Sequence, residues 1–80
     1  HSIAGGDAEA LEFRVDSAVR FVGVPLRDVP LRAGVLIACI TRHGKTIIPD
    51  GTSHFEKGDT VVAVTAREDA VMQMNDMFEQ

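Results

Sequence analysis

Eighty residues carrying twelve Asp and Glu against eight Lys and Arg make one small, mildly acidic domain, and a thin one. That balance, with no Trp or Tyr, excludes the basic face and stacking rings used to bind nucleic acid. One cysteine, Cys39, excludes an internal disulfide framework and fits a reducing compartment, while the longest apolar runs, such as Val35 to Ile40, are too short to span a bilayer.

Neither a signal peptide nor a polybasic membrane patch is legible, and the chain begins with His1 rather than Met, so the expectation is a piece of a longer protein. The first stretch, "HSIAGGD", is small and glycine-bearing, and residues 1–8 read as a linker from an upstream domain. "ALEFRVD" then alternates, with Leu11, Phe13 and Val15 on one side and Glu12, Arg14 and Asp16 on the other. Period two over this length predicts a strand with one wet face.

After Gly23, "VPLRDVPLRAG" allows a single helical turn. Pro25 suits its first position, Leu26 and Val29 share a face, and Pro30 stops it within about one turn. "GVLIACITR" gives six apolar residues in a row, Val35 to Ile40, and "GDTVVAVTA" gives another such run, Val61 to Val64. Strands apolar on both faces need cover on both faces. A chain this short buries only roughly 60% of its unfolded surface, so a second copy of the protein is the expected source of that cover.

"TRHGKTIIPDG", Thr41 to Gly51, gathers residues that suit a phosphate loop, half a metal site or a tight turn. A phosphate loop opens onto a helix, whereas this glycine opens onto the strand-like "TIIP". His43-Gly44 fits a two-residue hairpin loop, which needs positive φ at both positions. Cys39, His43, Asp50 and His54 are the whole pool for a metal, and no pair among them has a ligand spacing. Cys39 reads as a small buried hydrophobe. Ser53 and His54 are adjacent, so in extended chain they point apart and cannot act as nucleophile and base. Glu56, Asp59 and Glu68 read as turn and cap residues, with no acid/base couple among them. No enzyme is legible.

The last segment reads as a helix. Thr65 would cap it, Glu68 stands three residues on as in a capping box, and Val71, Met74 and Phe78, widened by Ala70 and Met77, recur at helical spacing. The expected fold is α+β: a small, mostly antiparallel sheet with a short turn-helix and one C-terminal helix, paired as a dimer.

In order and spacing, "GVPLRDVPL", "GVLIACITRHGKTIIPDG" and "FEKGDTVVAVTARED" resemble the C-terminal domain of regulators of potassium conductance, the TrkA-C type. The running pattern is a Gly-x-x-Leu turn, an apolar strand ending in Arg, a Gly hairpin, an Ile-Pro exit and Gly-Asp before the last strand. The lead-in "GGDAEALEFRV" is similar to that of Trk-type potassium-uptake peripheral subunits. The resemblance implies a regulatory domain over residues 9–80 that senses ligand and forms homodimers. It also implies a cytoplasmic place, peripheral to the inner membrane through a membrane-embedded potassium transporter subunit. An NAD- or ATP-binding domain is expected upstream; no G-x-G-x-x-G occurs here, so no cofactor is expected on these residues. The same domain on a cation/proton antiporter or an anion transporter is the alternative host.

Some members of the family bind cyclic di-adenosine monophosphate (c-di-AMP) across the dimer interface. Carried over by position, Arg32 matches that pattern's arginine, and Val35, Ile37, Ile48 and Pro49 would line the pocket. The sequence departs from the pattern in two places. Pro30 stands where the arginine's acidic partner is expected, and the loop is too short to supply the downstream asparagine. A site built on paired polar groups loses discrimination when one is missing.

Overall fold

A computed structural model describes residues 2–3, 7–66 and 70–80. Five strands form one antiparallel sheet: β1 (Ser2–Ile3), β2 (Ala8–Arg14), β3 (Leu36–Arg42), β4 (Lys45–Ile47) and β5 (Thr60–Ala66). Their order is β1-β2-β5-β3-β4, so the last strand runs up the middle between β2 and β3. β1 falls in the stretch read as linker, where it pairs Ser2 with Glu9 and Ile3 with Ala8.

The predicted alternation in β2 is realised. Phe13 and Leu11 lie opposite Val61 and Ala63, and Val15 just beyond is buried, while Glu12, Arg14 and Asp16 are exposed. In β5 the same period puts Val61, Ala63 and Thr65 on the core face and leaves Val62 and Val64 on the other. β3 breaks the period. Ile37 pairs with Ala63 but Cys39 pairs with Val62, so Ala38 is an extra residue in a bulge. The bulge lets Ile37 and Ile40, three apart, both reach the core. It also turns Cys39 to the outer face, where it is half-buried rather than the buried core hydrophobe expected.

β3 and β4 meet in the predicted two-residue hairpin. Arg42 pairs with Lys45, and His43 and Gly44 take φ of 51° and 76°. Nothing lies within 4 Å of where a Gly44 Cβ would stand, so its glycine answers to backbone conformation alone. The predicted short turn-helix appears as a 3₁₀ turn over Leu26–Asp28.

Residues 15–35 and 50–58 pack beneath the sheet and are laced together by main-chain hydrogen bonds. Gly23, Leu26 and Arg27 donate to the carbonyls of Phe55, Ser53 and Gly51. A Cβ on Gly51 would stand 3.3 Å from the Cβ of Arg27, so glycine there permits the close approach of the two segments. The core between sheet and loops holds Phe55, Ile40, Val61, Val15, Met77 and Phe78, each almost wholly buried.

The expected C-terminal helix does not form among the described residues. Thr65 and Ala66 are in β5, paired with Glu9 and Ala8, so Thr65 caps nothing; Glu68, its proposed partner, lies outside the described residues. In place of the helix is one 3₁₀ turn, Met74–Met77, closed by a capping box between Gln73 and Asp76. Val71, Met74 and Met77 are spaced by three, the period of a 3₁₀ helix, and all three are buried. Sheet pairing wins over helix propensity at the start of the segment, and core burial fixes the rest.

Candidate functional site

The best-built polar cluster surrounds Arg42. Its Nε and Nη2 donate to the two carboxylate oxygens of Asp59, each at 2.9 Å, and Nη2 also donates to the carbonyl of His54 at 2.8 Å. Nη1 reaches Glu56 Oε2 at 2.9 Å, and His54 Nε2 lies 3.0 Å from that same oxygen. Asp59 is 1% exposed, and its Oδ2 also accepts the Glu56 amide at 2.8 Å. Burial alone would raise the Asp59 pKa. The bonds from Arg42 and the Glu56 amide outweigh it and hold the carboxyl below its ordinary value of 3.8. The same hydrogen bond raises Arg42 above its ordinary value. Each nitrogen of the Arg42 fork and both Asp59 oxygens are engaged, so this cluster locks the hairpin to the loop before β5. Asp59 had read as a turn residue beside Gly58; its partner stands 17 residues away, a distance local patterns do not encode.

The five residues matched to a ligand pocket are not all brought together. The amide of Val35 donates to the carbonyl of Arg32 at 3.2 Å, so these two share a turn, with Gly34 at φ 88°. Ile48 is 77% exposed and Pro49 half-buried; both follow β4 as it runs back antiparallel to β3, toward that strand's start. Ile37 is buried in the core beneath the sheet. The Arg32 guanidinium is turned to the C-terminal segment, where Nη1 donates to the Asp76 carbonyl at 2.9 Å. It lines a cleft of about 360 Å³ with Asp76, Phe78 and Glu79.

The residues considered for a metal are dispersed. His43 is at the exposed hairpin tip, His54 is against Glu56, Cys39 is on the outer sheet face, and Asp50 accepts from Thr52 and has its pKa lowered by those bonds. No three His, Cys, Asp or Glu among the described residues are placed to hold an ion. No helix among them is long and apolar enough to cross a membrane.

Sequence reasoning did not locate the open face of the sheet. Ladder pairing puts Ala10, Val64 and Leu36 in one row and Glu12, Val62 and Cys39 in the next. Leu36 is 63% exposed, and the other apolar members are half-buried.

The family model of the TrkA-C domain matches residues 10–78. The chain belongs to the TrkA-C family. A Trk system potassium uptake protein, TrkA homolog 1 of Methanosarcina mazei, is 39% identical over 61 residues, covering 76% of this chain and 14% of that protein. The Trk system potassium uptake protein TrkA of Azorhizobium caulinodans is 32% identical over 69 residues, covering 86% and 15%. The chain therefore spans about one-seventh of the length of these curated relatives. A solved structure described as "Structure of RCK domain with cda" superposes with a TM-score of 0.64 at 22% identity, over 74% of this chain and 83% of that one, a likeness of fold. Within this TrkA-C domain, the Arg that ends the apolar strand and the Gly-Asp before the last strand belong together: they are the two halves of the Arg42–Asp59 lock.

Proposed function

We propose that this TrkA-C domain is the regulatory, dimer-forming module of a potassium-uptake system, with two copies meeting across the open face of the sheet. In this reading residues 9–80 are the regulatory domain, residues 1–8 lead in from upstream, and the full-length protein couples ligand state to a transporter from the cytoplasmic side. The observation that carries it is the apolar strip of Ala10, Val64, Leu36, Val62 and Cys39, left partly open in a domain with a thin core. The strip is flanked by exposed Glu12 and Arg14, charges of opposite sign that a twofold axis can set against each other. Burying such a strip removes apolar area from water at about 25 cal/mol per Å².

Light scattering of the wild type and of Leu36→Asp tests this. The wild type is expected to be dimeric at micromolar concentration and the variant monomeric with its fold retained. A wild type that stays monomeric at high concentration, or a variant that stays dimeric, overturns the reading.

The ligand reading places an occupant at the rim of that interface, against Val35, Ile48 and Pro49, with Ile37 acting only through the core. Arg32, whose Nη1 donates to the Asp76 carbonyl, is the charged member of that set. Ligand binding to the native state alone raises its stability. A thermal shift with c-di-AMP that Ile48→Asp abolishes supports it, and the absence of any shift overturns c-di-AMP as the occupant.

A further inference from the structure

We propose that the extra residue in β3, Ala38, closes the bare half of that strand's edge to pairing with another chain. β5 lines one side of β3 from Leu36 to Thr41, whereas β4 lines the other side only from Ile40 to Arg42. Among the described residues no strand pairs with residues 36–39 on that second side, so there β3 is a sheet edge. Continuing the β3–β4 register by two places would set Ile48 against Cys39 and Pro49 against Ala38. Pro49 has no amide to donate, so β4 stops where the bulge begins. The bare stretch is of the kind that pairs readily. Val35 to Ile40 is an unbroken apolar run with neither charge nor proline, the composition of a segment that recruits other strands.

The other edges of the sheet are guarded by other means. β4 is three residues long and carries Lys45, β1 is two residues long, and β2 bears exposed Glu12 and Arg14 beyond its pairing with β1. Residues 36–39 carry no charge, and the bulge is the irregularity in their ladder. The core does not require it. Leu36 and Ile37 pair with Val64 and Ala63, and Cys39 and Ile40 with Val62 and Val61, so both sides of the bulge keep the same alternation. Removing one residue between Ile37 and Ile40 would leave them two apart, the spacing by which a regular strand puts both in the core. An extra residue bends the strand and breaks the even spacing of its edge groups, so a straight partner strand cannot match them. Side-chain contact over the sheet face is left open, and strand addition is not. The guard is the same whether or not two copies meet across that face.

Deleting Ala38, or deleting Cys39 so that Ala38 takes its paired place, makes β3 a regular strand. Either variant is expected to keep the β3–β5 ladder, read by hydrogen exchange of β5 amides. Either is also expected to form species larger than the wild type's at the same concentration in light scattering. Exchange at the remaining residues of 36–39 should slow in those species, because edge amides gain partners there. Cys39→Ala, which keeps the residue count and so the bulge, should retain the wild-type size. The wild type serves only as the reference, monomer or dimer, so a failure of the face-dimer reading is told apart from a failure here. Deletion variants that keep both the ladder and the wild-type size overturn the proposal, and so does equal association of Cys39→Ala. Larger species in which residues 36–39 exchange as fast as in the wild type also overturn it, since their contact lies elsewhere. If both deletions unfold the domain, the extra residue belongs to the fold and the proposal fails as well.

Discussion

Two half-buried arginines, Arg42 and Arg32, anchor the molecule in different ways. Arg42 meets a buried carboxylate with two parallel bonds, and every nitrogen of its fork has an acceptor. Arg32 sends its Nη1 to the main-chain carbonyl of Asp76 beside an open cleft. Removing either partner of a buried ion pair strands a charge, whereas losing a bond to a carbonyl that water can replace costs far less. The first arginine is therefore committed to a buried ion pair, and the second ties its turn to the C-terminal segment.

The largest break in this comparison is Asp59→Ala. It leaves Arg42 with the His54 carbonyl and, as its one charged partner among those named, the half-exposed Glu56, and should cost about 3–5 kcal/mol, enough to unfold much of a small domain at 25 °C. Urea denaturation followed by circular dichroism reads this directly. The same lock sets an acid limit. With the Asp59 pKa lowered in the folded state, its stabilisation is complete above the ordinary carboxylate range and is lost as pH falls below about 3.8 toward the lower folded value. Stability should fall below pH 4, and the fall should be shallower in Asp59→Asn.

Arg32→Ala stands next in size, at about 1.5–3 kcal/mol in the same denaturation, for the loss of its charged hydrogen bond to the Asp76 carbonyl. Thr65→Val tests the smallest effect from the opposite side. The Thr65 hydroxyl is buried with no hydrogen-bond partner among the described residues, unlike the fully engaged Asp59. Its replacement should leave stability unchanged or raise it by about 1 kcal/mol. A clear loss in thermal denaturation would show that the hydroxyl is in fact engaged.

What the sequence made legible follows the range of each interaction. The His43-Gly44 hairpin and the turn at Leu26–Asp28 were readable because their codes are complete within four or five residues. The alternation in β2 was readable because one face is wet. The bulge at Ala38 was not, since an unbroken apolar run carries no phase to interrupt. The C-terminal helix was misread because Thr65 and Val71 to Phe78 satisfy local helix rules, while pairing of Thr65 and Ala66 with Glu9 and Ala8 is a long-range event. The five candidate ligand residues came from the family resemblance, not from any local pattern. The fold sends Ile37 into the core and the Arg32 guanidinium to the C-terminal segment.

The proposed dimer turns on which face of the sheet a second copy covers. Isotope-filtered nuclear Overhauser measurements on mixed labelled and unlabelled protein observe that contact directly. Intermolecular signals from the methyl groups of Leu36, Val62 and Val64 are predicted. Their absence, or intermolecular signals confined to surfaces such as Met72, would contradict a dimer built on the open sheet face.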